Sequence, residues 1–285
     1  MRQTGPKAIF LDMDGTILDN YNQISEKTKQ IIAQLRGEGI LVFIATGRSK
    51  GEVSSFLSEG LEVDGVISSN GMTTYLSDEK IEEHSLPFEL TKQIIEKARE
   101  HQVYYELFPS AGMRLALKED FNILAEEVKD PKPERVGINE WLERKEVMEG
   151  EIDWKEVLPE QRYSKFYCFS KQEEHIYQWK QVLEELKQST PFTTSSSSDH
   201  NVEVMVANVN KATGILAILH HVKIDASDIL VMGDSHNDIS MFQLAGQSVA
   251  MQNAVPEIKS LADEVTDFNC DEEGVYHYLN ARFFQ

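Results

Sequence analysis

Ala8-Ile9-Phe10-Leu11-Asp12-Met13-Asp14-Gly15-Thr16 is the stretch that decides the architecture. Four apolar residues stop abruptly at an aspartate, as in a buried parallel strand that delivers a carboxylate at its carboxyl end. Asp12 and Asp14, one residue apart at a strand end, point to the same side of the pleat and can face one ligand together. Gly15 permits the turn that follows. Two such carboxylates repel unless a cation lies between them, so a hard cation is the expected neutraliser if both work at neutral pH. A calcium loop would need a longer acidic ladder closed by a Glu, and none follows Gly15.

Outward from this strand the chain alternates. Ser25 can cap a helix whose apolar face is Ile31, Ile32 and Leu35 and which Gly37 or Gly39 ends. Residues 40–45 form a second buried strand, ending in Thr46-Gly47-Arg48, and a helix over 50–57 leads to a third strand near 63–68. This βαβαβ order predicts a parallel sheet with helices on both faces and ligands outside the carboxyl ends of the strands. The same rhythm returns after residue 207: a helix over 211–221, a strand at 229–232 ending in Gly233-Asp234, a helix over 239–245 and a strand at 248–251. In between, amphipathic helices (88–101, 171–187) alternate with strand-like runs at 103–108, 113–117 and 165–169, the pattern of an inserted α+β module. Asp130-Pro131-Lys132-Pro133 reads as a loop. Thr193 to Ser198 could be a linker by composition, but the alternation in Val202-Glu203-Val204-Met205-Val206 favours a polar strand and a hairpin turning at Asp199-His200-Asn201.

Composition bounds the partners. With 28 Lys+Arg against 48 Asp+Glu the formal charge is −20, which repels nucleic acid and anionic membrane surfaces. A small phosphate ester can still bind where a metal ion and one or two placed cations reverse the local field. A chain of 285 residues, 41% hydrophobic and 27% charged, is that of a folded enzyme with room for two modules. Cys168 and Cys270 are far apart and in no metal-ligand spacing, which suits a reducing compartment. The N-terminus leads into an apolar run too short for a secretory segment, no stretch approaches a membrane span, and a cytoplasmic location is expected.

Three further elements bear on chemistry. Gly233-Asp234-Ser235-His236-Asn237-Asp238 brings more carboxylates to the same sheet edge, although Asn237 or Asp238 would also serve as a helix cap. Thr46, with Gly47 allowing close backbone approach, can offer a hydroxyl and an amide hydrogen to a phosphoryl oxygen. Lys211, at the start of a helix, can add a point charge to the same anion. Glu106, Phe108, Arg114 and His200 lie in strands and turns of the inserted module and read more readily as ordinary packing than as ligands.

Asp12-Met13-Asp14-Gly15-Thr16, Ala45-Thr46-Gly47-Arg48, Lys211 and Gly233-Asp234 through Asn237-Asp238, in this order and spacing, resemble the four motifs of the haloacid dehalogenase superfamily. The likeness is to its Cof-type hydrolases with a large α+β (type IIB) cap, and it covers nearly the whole chain. Ser69-Asn70-Gly71 and the run from Val249 to Lys259 look like the family too, whereas Ala212 departs from the glycine often found after the motif lysine. The resemblance implies a doubly wound, mostly parallel, Rossmann-like α/β core made of residues 1–84 and 209–285. It implies an inserted α+β cap over 85–208 that selects the substrate.

By the same resemblance Asp12 is the nucleophile that forms an aspartyl-phosphate, and Asp14 is first the acid and then the base. Magnesium (Mg2+) is then held by the Asp12 carboxylate, the Asp14 backbone carbonyl and Asp234, with Asp238 orienting that shell. Thr46, Gly47, Lys211 and Asn237 bind the phosphoryl oxygens, and Arg48 and Asn70 lie on the substrate side. Ion-pumping relatives carry threonine where this chain has Asp14, so hydrolysis is favoured. The expectation is a magnesium-dependent phosphatase of small phosphorylated metabolites such as sugar phosphates, nucleotides or phosphorylated cofactors. A phosphoryl transferase or phosphomutase, a phospho-receiver and an idle phosphometabolite-binding protein stay open as alternatives, the length and Asp14 arguing against the receiver.

Overall fold

In the computed structural model, which describes residues 5–285, the run Ala8–Leu11 forms strand β1 with all four side chains fully buried. Ile9 and Leu11 enter one hydrophobic cluster and Ala8 and Phe10 another. Alternation sends the two pairs to opposite faces of the sheet, and a strand covered on both faces has no polar positions to alternate. Residues 1–4, where the expected lack of a secretory segment begins, lie outside the described residues.

After β1 come α1 (Glu26–Gly37), β2 (Leu41–Ala45), α2 (Lys50–Ser58), β3 (Gly65–Ser68) and the hairpin β4 (Thr73–Leu76) and β5 (Glu79–Glu83). Ser25 caps α1 by accepting from Thr28 N, and the helix buries Ile31, Ile32 and Leu35. The chain then runs through α3 (Phe88–Glu100), β6 (Tyr104–Pro109), β7 (Leu115–Leu117), α4 (Phe121–Glu127), α5 (Ile138–Glu146), β8 (Asp153–Lys155), β9 (Tyr163–Phe169), α6 (Glu173–Lys187), β10 (Phe192–Ser195) and β11 (Asn201–Val206). It ends with α7 (Lys211–Val222), β12 (Ile229–Gly233), α8 (Ile239–Leu244), β13 (Gln247–Ala250), α9 (Pro256–Leu261), β14 (Glu264–Val265) and α10 (Gly274–Phe283).

Two compact units result: residues up to Glu83 together with Val209–Gln285, and His84–Asn208. The first holds an eight-stranded sheet of order β14-β13-β12-β1-β2-β3-β4-β5, parallel from β14 to β3 and closed by the antiparallel hairpin. β1 lies between β2 and β12, so the strand order reverses at β1, and sheets of this kind bind ligands outside the carboxyl end of the strand at such a point. The second unit holds a six-stranded, mainly antiparallel sheet of order β10-β11-β9-β6-β7-β8.

Element ends differ from the sequence reading by one or two residues. β10 and β11 pair antiparallel from Phe192↔Val206 to Ser195↔Glu203, so the serine-rich stretch is a hairpin and not a linker. The hairpin β4–β5 and the helices α4 and α5 have no counterpart in that reading. Buried Thr73 and Thr74 beside the charged Glu79–Glu83 give no apolar period, and α4 spans only seven residues. Among the described residues no helix is long and apolar enough to cross a membrane.

Candidate active site

Strand register assembles the site. β1 pairs with β12 through Leu11↔Met232 and with β2 through Leu11↔Ile44, and Asp12 N continues the ladder to Met232 O at 3.0 Å. The residues just past these three strand ends, Asp12, Asp234 and Thr46, are therefore neighbours. Lys211 arrives as the first residue of α7, which Asn210 and Thr213 start with a reciprocal cap, and Ala212, the departure from the family's frequent glycine, lies in that first turn.

Lys211 is completely buried, and its Nζ lies 2.5 Å from Asp12 Oδ1 and 2.6 Å from Asp238 Oδ1. Burial alone would lower its pKa, but Asp12 and Asp238 outweigh that and hold it raised and charged. Asp238 Oδ2 accepts from Asp234 N (2.9 Å) and Ser235 N (3.0 Å), so this carboxylate serves at once as a cap for the turn and as an anchor for Lys211. Asp12, Asp234 and Asp238 each offer a carboxylate oxygen within 4.8 Å of the others.

The cluster is electrostatically loaded. Burial, then Asp238, push the Asp12 carboxyl up to about 8 against the pull of Lys211. Burial, then Asp12 and Asp238, hold Asp234 well above the ordinary carboxylate range. Asp234 Oδ1 is buried and has no hydrogen-bond partner. Gly15 packs directly on this residue: at φ +70° a β-carbon there would lie 2.3 Å from Asp234 Oδ2.

Asp14, whose charge also helps to raise Asp12 and Asp234, is held by a partner of its own. Arg48 grips it, with Nε 3.1 and 3.0 Å from its two oxygens and Nη2 2.6 Å from Oδ1. The same Nη2 donates to Asn22 Oδ1 at 2.9 Å. Arg48, expected on the substrate side, thus turns to the second aspartate of the motif. Thr46 is fully buried; its hydroxyl oxygen accepts from Arg48 N and its carbonyl from Asn70 N. Asn70 adopts a left-handed conformation (φ +53°), and its Oδ1 lies 3.5 Å from Asn237 Nδ2. Gly47, Thr46, Asn70 and Asn237 therefore belong to the same strand-end region as Asp12. Sequence reasoning missed Asn22, which nothing in its neighbourhood marks, and Asn253, whose Nδ2 donates to Gly15 O at 2.8 Å. The signal for Asn253 was its place in the run from Val249 to Lys259.

In the second unit, Glu106 is fully buried and accepts from Tyr104 Oη (2.6 Å), Arg114 (2.8 Å) and Arg144. Burial would raise its carboxyl, but the two arginines and Tyr104 win and hold it low. Phe108 lies under Lys165 Nζ at 4.5 Å and Arg114 Cζ at 5.0 Å from its ring centroid. His200 Nδ1 bonds Ser170 O at 3.0 Å. All four residues have internal partners, as the packing reading supposes.

Known proteins are similar to the chain over nearly its whole length. The chain is 29% identical over 288 residues to the 5-amino-6-(5-phospho-D-ribitylamino)uracil phosphatase YwtE of Bacillus subtilis, covering 96% of this chain and 97% of that one. Among solved structures, a haloacid dehalogenase-like hydrolase from B. subtilis superposes with TM-score 0.81 at 24% identity over 98% of this chain and all of the other. BT1666 of Bacteroides thetaiotaomicron, a phosphatase of the same superfamily, is 28% identical with TM-score 0.72 over 99% of this chain and 97% of that one. The model for haloacid dehalogenase-like hydrolases matches residues 9–279, and the chain belongs to that family.

Proposed function

We propose that the protein is a magnesium-dependent phosphatase that hydrolyses small phosphomonoesters through an aspartyl-phosphate on Asp12. The observation that carries this reading is the pairing of a buried Asp12 with Lys211 beside Asp234, whose Oδ1 is buried without a partner. Carboxylate oxygens within 4.8 Å of one another are the hard donors that magnesium prefers, and an unpartnered buried oxygen is what a missing cation would leave. Asp12 and Asp234 would hold the ion together with the Asp14 carbonyl. Bound there, it supplies positive charge that lets Asp12 stay ionised and offsets the charge of the phosphoryl group.

The remaining work falls to the chain itself. Lys211 engages Asp12 Oδ1, which leaves Oδ2 to attack phosphorus. An O–P bond forms to Asp12 as the ester P–O bond breaks, and Asp14 gives its proton to the departing alcohol oxygen. Asp14 then takes a proton from water, the water oxygen attacks phosphorus, and inorganic phosphate leaves Asp12 regenerated. Thr46, Lys211 and Asn237 hold the phosphoryl oxygens through these steps. Choice of leaving group is assigned to the second unit.

The named substrate of YwtE is a phosphorylated ribityl compound, which places sugar-alcohol phosphates in the test panel beside sugar phosphates, nucleotides and phosphorylated cofactors. Phosphate release is measured with magnesium or EDTA for wild type and Asp12→Asn. Release is expected only from wild type with magnesium. Turnover in Asp12→Asn would sink the nucleophile assignment.

A further inference from the structure

We propose that Asn253 and Asp271 are positioning residues for Asp14, through which the loop after β13 and the turn before α10 hold the segment that carries this carboxylate. The inference rests on the acid–base reading of Asp14 given above.

Asn253 uses both halves of its carboxamide on backbone. Nδ2 donates to Gly15 O at 2.8 Å, and Oδ1 accepts from Cys270 N at 3.0 Å. Gly15 is the residue next to Asp14, and its packing on Asp234 leaves no room for a β-carbon. Gly15, the residue bonded to Asp14, is thus located by Asp234 at its α-carbon and by Asn253 at its carbonyl. An aspartate at 253 would present an acceptor to the Gly15 carbonyl and could not make this bond.

One residue past Cys270, Asp271 accepts from Asn20 N at 2.8 Å and from the Asn20 carboxamide. Asn20 belongs to a chain excursion between Leu18 and Ser25. Within it Asn22 accepts from Arg48 Nη2, the guanidinium group that grips both oxygens of Asp14. A cavity of about 160 Å³, lined among others by Thr16, Asp19, Gln23, Cys270 and Asp271, separates the root of the excursion from the turn. The bonds of Asn20 to Asp271 join the two across it. The turn has its own lock, since Asn269 and Glu272 form a reciprocal cap. Asp14 is consequently approached by two tethers that both end on one rigid turn: Gly15 through Asn253 and Cys270, and Arg48 through Asn22, Asn20 and Asp271.

A misplaced Asp14 protonates a leaving alcohol poorly, while p-nitrophenolate departs without a proton. The test compares kcat/KM, which covers the steps up to alcohol release, for p-nitrophenyl phosphate and for the best alkyl phosphate of the panel. It uses the magnesium-loaded full chain as wild type, Asn253→Ala, Asn253→Asp and Asp271→Ala, with a thermal melt of each. The alkyl ester is expected to lose about tenfold and p-nitrophenyl phosphate less than about threefold, the scale of one lost hydrogen bond. Asn253→Asp is expected to fall with Asn253→Ala. Equal losses on both esters, or none, overturn the inference. Should Asn253→Ala melt below the assay temperature, Asp271→Ala, altered at an exposed side chain, carries the same comparison. Asp12→Asn runs alongside: turnover there removes the aspartyl-phosphate reading, whereas an inert Asp12→Asn with unchanged ester ratios in the other variants removes the positioning inference alone.

Discussion

Replacing Asp234 by asparagine should stabilise the metal-free protein while abolishing its response to magnesium. The carboxylate oxygens of Asp12, Asp234 and Asp238 lie within 4.8 Å of one another. At that separation and an effective dielectric of ~20, each like-charge pair costs roughly 3 kcal/mol. Lys211 neutralises Asp12 and Asp238 in part, so a net relief of about 2 kcal/mol is expected when a neutral amide replaces Asp234, which in the folded protein must otherwise stay charged beside them or take up a proton. For a domain of this size that corresponds to a rise in melting temperature of about 4–8 °C. In wild type, magnesium at a hundred times its Kd should add about 2.7 kcal/mol by mass action. Thermal unfolding followed by circular dichroism, in EDTA and in saturating magnesium, separates the two effects. Wild type should melt low in EDTA and high in magnesium, and Asp234→Asn should melt at an intermediate temperature in both. A lower melting temperature in EDTA together with an intact magnesium response would refute the reasoning, because it would make Asp234 a structural acceptor and not a cation ligand.

Lys211→Met should reduce kcat/KM by about 10²–10³, the range seen for removal of a preorganised cationic or donor group, as measured by phosphate release at saturating magnesium. Lys211→Arg should not restore activity, since a completely buried ammonium leaves no room for the wider guanidinium. The metal-free protein should lose stability as pH rises: Asp12 and Asp234 have raised pKa values in the folded state, so between the ordinary Asp value near 4 and about 8 the folded form binds more protons than the unfolded one. The part of that loss due to Asp12 is complete above about 8, and saturating magnesium should flatten the profile of urea midpoints against pH. Glu106→Ala leaves Arg144 and Arg114 buried without their shared partner and should cost about 3–5 kcal/mol in denaturant unfolding. Its KM for the panel substrates should stay unchanged in the folded fraction, and a selective rise in KM for one substrate would return Glu106 to the ligand reading.

What the sequence made legible was whatever depends on local pattern. β1 is apolar on both faces because helices cover both faces, and this leaves a four-residue run ending in Asp12. Lys211 is marked by its place at a helix start, and Asp238 by a capping position that it fills while also meeting Lys211. The illegible parts depend on where long side chains end up. Arg48 reaches Asp14 from 34 residues away, and Asn253 reaches Gly15 from 238 residues away; neither contact has a periodic or spacing signature. The second unit was read worst for a related reason. Its sheet buries Glu106, Lys165 and Glu203, and a buried acid compensated by cations from other elements looks, in sequence, like an exposed one.

The charges around Asp12 also bear on the order in which the site is filled. Two cations, Lys211 and Arg48, face four carboxylates, Asp12, Asp14, Asp234 and Asp238. Lys211 is shared by Asp12 and Asp238, Arg48 is committed to Asp14, and Asp234 alone receives neither. A phosphate dianion entering this arrangement would add to an existing negative excess in a chain that is already strongly acidic, so its approach is unfavourable both locally and at long range. A divalent cation would close the local difference, and the place where positive charge is lacking coincides with the one buried carboxylate oxygen that, among the described residues, has no partner. The geometry therefore favours cation first and phosphate ester second. Net charge, which alone would argue against a phosphorylated substrate, then becomes compatible with one, because the field the substrate meets is set within a few ångströms of Asp12 and not by the surface as a whole.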